Sequence, residues 1–479
     1  MSDSKHTPAQ GKGRDLTTGS VPRHLLAFSL PMLAGSALQT AYSFVNAVWV
    51  GNLLGKSALA AVTVSFPVIF VLIAIGMGLT LATNIMISQN YGAKDMPAVR
   101  RVVVSSTMMM AVLALVLLVA GEVFAPTVLR LIGTPPDVLP VASRYLQITL
   151  LTLPLGFGLF LIRSMLQGIG NSTTPLYFLA GSVLMTAALD PLLMFGWLGF
   201  PKLGLNGTAW ASVVSQGLAL ISLVAVTRAY KSPVAPTLSV KEFDWPTLVR
   251  TLRIGVPSAV QQALISFNMV AMITLVNSFG EDATAAFGAA SRIDQVAFLP
   301  AMTFSMAVAT LAGQNIGAGK YDRIRAIFGW GCLLSGSFTA VASILAVTLP
   351  RLLLRAFTDE PVLIDIGAHY LHIVGACYLF FWFMFVSHGI INGSGRTIVT
   401  ASITIVSLWV LRVPLAYWLV SRGAGITGIW YAVGMSFGLS MLGSFAYYFS
   451  GRWRTPLVRK TPPSTDKAAA MFGEETGEA

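Results

Sequence analysis

Charged residues are scarce in this chain. Asp, Glu, Lys and Arg together make up only 10% of its 479 residues, whereas a soluble domain carries about 25%. Hydrophobic residues make up 55% of the chain, so lipid rather than water must solvate most of its surface. The composition therefore excludes an ordinary soluble domain and predicts a membrane protein.

Features typical of enzymes and of disulfide-stabilised proteins are also lacking. The only two cysteines, Cys332 and Cys377, lie in apolar runs and read as small apolar residues rather than as a disulfide. The chain contains no Walker A sequence and no cluster of His and Cys with metal-ligand spacing. We therefore expect neither an ATP-driven pump nor another enzyme, and no cofactor or bound metal.

Long apolar runs take up most of the chain. A transmembrane helix needs about 20 apolar residues, and turn signals separate twelve such runs: 24–50, 58–88, 102–124, 139–168, 175–198, 204–228, 254–279, 285–312, 326–350, 363–391, 398–420 and 425–449. These runs are too long, and alternate too little, for the strands of a barrel. The predicted fold class is an all-α polytopic membrane protein with twelve transmembrane helices.

The chain also repeats itself. Gln-Asn-Tyr-Gly-Ala at 89–93 matches Gln-Asn-Ile-Gly-Ala at 314–318, a shift of 225 positions, and other matches occur at nearly the same shift: Gly55 with Gly280, Gly168 with Gly393, Gly170 with Gly395, and Pro31 with Pro257. Self-similarity at one shift indicates two related halves. We predict two six-helix lobes related by a parallel internal repeat, an architecture that secondary transporters commonly have.

The repeat divides the chain into five parts. We predict a polar, disordered N-terminus (1–23), a first lobe (24–228), an inter-lobe linker (229–253), a second lobe (254–449) and a polar tail (450–479). The first 20 residues lack an apolar core, so we expect no cleaved signal peptide.

The net charge of +12 is unevenly placed. About 21 Lys and Arg fall on one side of the predicted membrane helices and about seven on the other, and the side richer in Lys and Arg is normally cytoplasmic. We therefore predict a multi-pass protein of the cell inner membrane, with both termini and both Gln-Asn loops on the cytoplasmic side. This placement argues against a nucleic-acid partner, and we expect a monomer.

An ionisable residue at membrane depth is a functional candidate by default because burying it is costly. Asp190 lies in the fifth run, next to Pro191, with Thr186 one turn back on the same face. Loss of water favours the neutral form of a carboxylic acid, so such a group can take up and release protons near neutral pH. The alternative is a structural carboxylate hydrogen-bonded to neighbouring helices.

Several motifs together resemble the multidrug and toxic compound extrusion (MATE) family. They are the paired Gln-Asn-x-Gly-Ala loops, Arg292-Ile293-Asp294 followed by Pro300, Asp190-Pro191, and Arg412-Val413-Pro414. The resemblance covers nearly all of 24–449 and is strongest to the prokaryotic DNA-damage-inducible-type branch, which is usually taken as proton-coupled. It implies a two-lobe cation antiporter that exports organic cations and other amphipathic drugs.

The resemblance also implies a pocket in the first lobe. Gln39, Tyr42 and Asn46 fall on one face of the first run and match the family's pocket positions, near Asp190. Asn46 departs from the family, because the proton-coupled branch usually has an aspartate there and an amide cannot titrate. Gln39 and Asn46 also fit a second interpretation, as hydrogen-bonding contacts between helices.

In the second lobe the resemblance points to Asp294 as a binding or coupling carboxylate. The alternative is an ion pair between helices, with Arg412 as its partner. Arg292 lies two residues away and faces another direction on the helix. Gln261 and Gln262 are the polar pocket candidates of the seventh run, which has no acid. The sodium-dependent branch tends to place a glutamate on that helix, so a proton is favoured over sodium as the coupling ion.

The leading prediction is thus a secondary antiporter that takes a small-molecule substrate, an organic cation or amphipathic drug, and is surrounded by membrane lipid. A flippase of the same broad superfamily, moving a lipid-linked or polysaccharide precursor, is the main alternative. The groove of a flippase should carry several cationic residues for the pyrophosphate, whereas the cationic residues predicted deep within the membrane are only about three, Arg163, Arg292 and Arg412. A membrane receptor or scaffold without transport is the third reading.

Overall fold

The computed structural model describes residues 13–53 and 56–454, and within them it is helical, with no strand. The twelve spans are numbered α1 to α12: Val21–Leu53, Lys56–Gly92, Met96–Leu131, Leu139–Gly168, Thr173–Phe195, Leu205–Ala229, Trp245–Asn277, Glu281–Gly317, Asp322–Thr348, Pro361–Ala376 with Leu379–Gly393, Thr397–Ser421 and Gly425–Phe449. Eleven of these are long and apolar enough to cross a membrane, and the bent pair α10 makes the twelfth. The predicted all-α, twelve-helix fold class is confirmed.

The fourth helix of each lobe is broken at an equivalent place. The helix of α4 is interrupted at Leu151, and α10 bends by 48° between Ala376 and Leu379. The shift of 225 relates Leu151 to Ala376. The two lobes therefore share a backbone irregularity as well as sequence matches.

The predicted linker (229–253) is shorter in the structure. The side chain of Asp244 accepts a hydrogen bond from the Thr247 amide at 2.8 Å, and Pro246 occupies the first turn, so α7 begins at Trp245. Aspartate caps and first-turn prolines both favour a helix start. The last part of the predicted linker is therefore helical, contrary to the prediction.

Buried apolar side chains form three clusters: one mainly in the first lobe that also includes Ile254 of α7, one within the second lobe, and a third where the start of the chain meets the second lobe. The third cluster combines the start of the chain with α8, α9, α10 and the end of α12. Its members from the start of the chain are Leu16, Val21, Leu25, Phe28 and Met32. The first part of α1 therefore packs against the second lobe, although the rest of α1 belongs to the first.

The two Gln-Asn motifs, which were predicted to be loops, form the last turns of α2 and α8. We keep the name Gln-Asn loops for these turns and the residues that follow them; they meet at one end of the bundle, here called the glutamine end. The Gln89 amide donates to the Gly393 carbonyl at 2.8 Å, and the Gln314 amide donates to the Gly168 carbonyl at 2.9 Å. Each hydrogen bond joins the two lobes, and the sequence repeat makes them equivalent. We call this reciprocal pair the glutamine latch.

Glycines allow the two loops to approach this closely. A Cβ atom at Gly92 would overlap the backbone of Gln314, and one at Gly317 would overlap the backbone of Gln89. One step deeper, the Thr310 hydroxyl donates to the Asn84 side-chain oxygen at 3.1 Å. The lobes are thus tightly closed against each other at the glutamine end.

The predicted N-terminus (1–23) is not a disordered lead throughout. Residues 13–20 pack on the glutamine end, where Leu16 is fully buried, and α1 begins at Val21. Backbone groups of this segment are satisfied by side chains of the second Gln-Asn loop, which sequence pattern alone does not reveal. Residues 1–12 of the predicted N-terminus and 455–479 of the predicted tail lie outside the described residues.

Candidate cation and substrate site

Asp190 is the buried carboxylate of the first lobe. It lies on α5 and is 1% exposed. The Tyr42 hydroxyl of α1 donates to its Oδ2 at 3.0 Å, while its Oδ1 is buried and has no hydrogen-bond partner among the described residues. Buried polar atoms are normally paired, so this oxygen is the atom of the site that can accept a further hydrogen bond or a proton.

The other three residues predicted around Asp190 differ in burial and in their hydrogen-bond partners. Asn46 lies one turn beyond Tyr42, and its side-chain oxygen is also buried without a partner in the described part of the chain. Thr186 is buried, but its hydroxyl bonds back to the Ser182 carbonyl of its own helix at 2.8 Å. Gln39 is exposed. The structure therefore brings Tyr42 and Asp190 into contact and leaves Thr186 with a local role.

Asp294 of α8 has both carboxylate oxygens occupied. Tyr370, in the first helix of α10, donates to Oδ2, and Tyr378, in the break of α10, donates to Oδ1. A doubly hydrogen-bonded carboxylate is well satisfied in a low-dielectric interior. The acids of the two lobes thus differ in kind, because Asp190 keeps one oxygen free and Asp294 keeps neither.

Arg412 does not form the predicted ion pair with Asp294. Its Nε donates to the Ser436 hydroxyl at 2.7 Å and its Nη1 to the Asn268 side-chain oxygen at 3.2 Å. The guanidinium lies 4.6 Å from the ring centre of Phe437, and the two ion pairs among the described residues are both elsewhere. Arg412 remains close enough to attract Asp294 electrostatically. The proposed pairing is therefore wrong as a contact.

A widened turn positions Arg412. Residues Val406–Arg412 of α11 form a π-helical segment, and the Asn268 amide donates to the Leu408 carbonyl within it at 3.1 Å. Such π-bulges often occur at functional sites. Asn268 therefore supports both the widened turn and the guanidinium that the turn places in the interior.

The same helix contact carries opposite charges in the two lobes. In each lobe the first helix touches the fifth: Tyr42 with Asp190 in the first lobe, Asn268 with Arg412 in the second. Tyr42 and Asn268 are 226 positions apart, the same shift as Pro31 and Pro257. Asp190 and Arg412 are 222 positions apart, about one turn away from that shift. The equivalent pair of helices, though not the equivalent residue, therefore holds a carboxylate in one lobe and a guanidinium in the other.

The remaining predicted pocket residues are dispersed. Gln261 links α7 to α11 through a 2.7 Å hydrogen bond from its amide to the Thr404 hydroxyl. Gln262 is partly buried and Arg292 is exposed. Gln261 thus hydrogen-bonds one helix to another, which was the second interpretation given for Gln39 and Asn46.

Aromatic rings line the interior of the second lobe around its charged groups. Phe298 stacks on Phe381 with ring centres 4.2 Å apart, and both rings lie edge-on to Phe437. Phe437 in turn carries the Arg412 guanidinium. Faces of aromatic rings attract cations, and that of Phe437 holds the guanidinium of the protein itself.

Three tyrosines near the buried acids were not predicted as site residues. Tyr370 and Tyr378 hold Asp294, and Tyr145 of α4 lies near enough to Asp190 to interact with it electrostatically. Tyr145 and Tyr370 are related by the shift of 225. This internal match was the available signal, because a tyrosine shared by both repeats in an apolar helix marks an equivalent interior position.

Known proteins are similar to this chain in sequence and in fold. Probable multidrug resistance protein YpnP of Bacillus subtilis (strain 168) is 32% identical over 443 residues, which cover 92% of this chain and 98% of YpnP. Probable multidrug resistance protein YoeA of the same strain is 33% identical over 433 residues, 90% of this chain and 94% of YoeA. The crystal structure of a Vibrio cholerae MATE transporter, VcmN, matches with a TM-score of 0.82 at 22% identity, over 91% of this chain and 98% of that one.

The family match follows the internal repeat. The sequence model of the MatE family matches residues 31–192 and again residues 257–418. The two matches begin 226 positions apart, the same shift that relates Pro31 to Pro257, and each covers the buried contact of its own lobe. Together with the full-length likeness to YpnP, they establish that this chain belongs to the MatE family.

Proposed function

We propose that this protein is a secondary active antiporter that exports organic cations or amphipathic drugs in exchange for protons. The observation that carries the proposal is the free, buried Oδ1 of Asp190 beside an oxygen that already accepts from Tyr42. A carboxylate held in this way can alternate between a charged form and a protonated form that needs no counter-ion. The names of YpnP and YoeA support the substrate class.

Asp190 is a better candidate for the coupling proton than Asp294. Protonation of Asp190 costs no existing hydrogen bond at Oδ1, whereas both oxygens of Asp294 accept from tyrosines. We assign coupling to Asp190 and substrate binding to Asp294 and the aromatic wall beside it.

Protons are favoured over sodium because the pocket of the first lobe offers a single carboxylate. Asn46 supplies a neutral amide where the proton-coupled branch usually has an aspartate, and α7 contains no acid within 254–279. Sodium would need several oxygen ligands converging with this one charge. We therefore place the chain in the proton-coupled, DNA-damage-inducible-type branch, with the second acid replaced.

The closed glutamine end supports transport by alternating access. With the lobes latched at this end, the substrate would leave through the opposite end and enter when the latch opens. Rocking of two parallel repeats about a site between them is a common transporter mechanism. We propose that a monomer carries out this cycle.

Inverted membrane vesicles test this function directly. With an acidic interior, we expect vesicles containing the protein to accumulate a fluorescent organic cation, because protons leaving the lumen drive the drug inward. Accumulation should collapse when a protonophore is added and should not respond to an imposed sodium gradient. Accumulation that follows only the sodium gradient would contradict proton coupling, and translocation of a lipid-linked oligosaccharide without drug uptake would favour the flippase.

We propose that the protein lies in the cell inner membrane, with both termini and the glutamine end on the cytoplasmic side. Lys320 at the glutamine end and Glu281 at the opposite end are both exposed. After Cys332 and Cys377 are replaced by alanine, a Lys320→Cys variant should react with an impermeant maleimide only in inverted vesicles, and a Glu281→Cys variant only in intact cells. Labelling of position 320 in intact cells would reverse the orientation.

A further inference from the structure

Residues 13–19 cross the glutamine end and bind both lobes. The Arg14 amide donates to the Ile169 carbonyl of the first lobe at 2.7 Å. Two residues later, the Leu16 amide donates to the Gln314 side-chain oxygen of the second lobe at 3.0 Å, and the Asn315 amide group donates back to the Leu16 carbonyl at 3.2 Å. Within three residues, therefore, the chain bridges the line along which the lobes would part.

The second Gln-Asn loop holds the rest of this segment through its basic residues. The Lys320 ammonium donates to the Thr17 carbonyl at 2.9 Å, and the Arg323 guanidinium donates to the Gly19 carbonyl at 3.0 Å. Partial burial acts to raise the pKa of Asp15, but hydrogen bonds from Thr17 and the charges of Lys320 and Lys94 hold it below its usual value. Asp15 is thus charged and stabilises the docked segment.

Leu16 is the apolar centre of this segment. It is 1% exposed and belongs to the cluster that includes Ile316 and Ile324 of the second lobe. On the side of the first lobe it lies against Gly170, whose missing Cβ leaves room for it. Leu16 therefore fills the gap between the lobes at the point where the latch lies.

The segment also breaks the symmetry of the glutamine latch. Gln314 uses both halves of its amide, donating to Gly168 and accepting from Leu16. Its repeat partner Gln89 donates to Gly393, but its buried oxygen has no partner in the described part of the chain. The backbone amide of Asp244, the residue just before α7, instead donates to the Ser105 hydroxyl of α3 at 3.1 Å. Among the described residues, therefore, only the segment before the first repeat supplies a donor to a latch glutamine, and that glutamine is Gln314 of the second repeat.

We propose that residues 13–19 are a strap that stabilises closure of the glutamine end and must leave at least one lobe each time that end opens. The strap adds bonds to both lobes beside the two glutamines, and it acts through positioning residues rather than by touching the substrate. The inference rests on the proposed alternating access, in which this end opens to admit the drug.

A cysteine behind the latch tests the strap. Thr310→Cys, in a chain whose native cysteines are replaced by alanine, reports opening through its rate of reaction with an impermeant maleimide applied from the glutamine end, because Thr310 is 1% exposed when the lobes are closed. We expect Leu16→Asp to raise this rate by at least about tenfold, since a charge must then leave the apolar gap. Thr18→Ala, a change at an exposed side chain of the same segment, should leave the rate unchanged.

A second pair of variants covers the case in which Leu16→Asp impairs folding. Lys320→Gln removes the donor to Thr17 from an exposed position and should raise the rate several-fold. Lys94→Gln removes the same charge from the other loop, which has no hydrogen bond to the strap through that side chain, and should have a smaller effect. Wild-type rates in both Leu16→Asp and Lys320→Gln would overturn the strap.

This readout uses neither drug nor gradient, so it separates the strap from the proposed function. Faster labelling in the strap variants without drug efflux in any variant would keep the strap and reject the antiporter. Gradient-driven efflux together with unchanged labelling would reject the strap alone.

Discussion

Asp190→Asn is expected to reduce proton-driven drug efflux to the level of vesicles without the protein. The amide has nearly the shape of the protonated acid, and the Tyr42 hydroxyl can still donate to its oxygen. Folding should therefore be retained, while the only carboxylate among the residues described in the pocket of the first lobe is lost. Drug accumulation in acid-interior inverted vesicles measures the effect, and the thermal unfolding temperature in detergent checks the fold.

Asp294→Asn is the matched comparison. It removes a carboxylate from the second lobe and disturbs two tyrosine donors, so we expect weaker drug binding and lower stability but retained dependence on the proton gradient. If Asp190→Asn transports normally and Asp294→Asn loses its response to the proton gradient, coupling lies in the second lobe instead.

Gly317→Leu is expected to arrest transport by holding the glutamine end open. A Cβ at this position would overlap the backbone of Gln89, which cannot move aside as a flexible side chain can. Overpacking typically costs about 1–3 kcal/mol, and applied to the closed state alone this corresponds to a population shift of about 5- to 150-fold. Efflux rate and labelling of Thr310→Cys from the glutamine end should change together, the first falling and the second rising.

Gly329→Leu is the control for this substitution. Gly329 lies on α9 with open space around its missing Cβ, so a leucine there should be tolerated in lipid, and efflux should stay near the wild-type rate. Normal efflux in Gly317→Leu would show that the loops separate easily or that their contact is not needed during the cycle.

Hydropathy and the internal repeat were enough to predict the fold class. Twelve apolar runs became twelve helical spans, because a membrane helix must satisfy its own backbone and leaves few alternatives. The boundaries moved where local chemistry acted. Asp244 capped α7 inside the predicted linker, and Leu16 and Gly19 docked on side chains 298 and 304 positions later in the chain. Hydrogen bonds between backbone groups and side chains so far apart in the chain leave no periodic pattern in the sequence, so they cannot be predicted from it.

The candidate site was predictable only in part. The face pattern on α1 and the rule for buried acids together pointed to the Tyr42 and Asp190 contact, whose functional role stays a prediction. Tyr378 could not be found because a tyrosine in an aromatic run resembles lipid-facing packing. Arg412 pairs with neutral Asn268 and Ser436 rather than with Asp294, because the π-helical turn directs it there, and sequence spacing assumes regular helices.

The opposite charges at the repeated helix contact bear on the ancestry of the chain. Two halves that share loops, helix breaks and a tyrosine descend from one duplicated unit, yet the stretch 413–416 has no acid to match Asp190, and 67–70 has none to match Asp294. Each acid was therefore gained or lost in one copy after the duplication. The common ancestor of the halves supplied the broken fourth helix and the scaffold, and the buried charges of the two copies have since diverged.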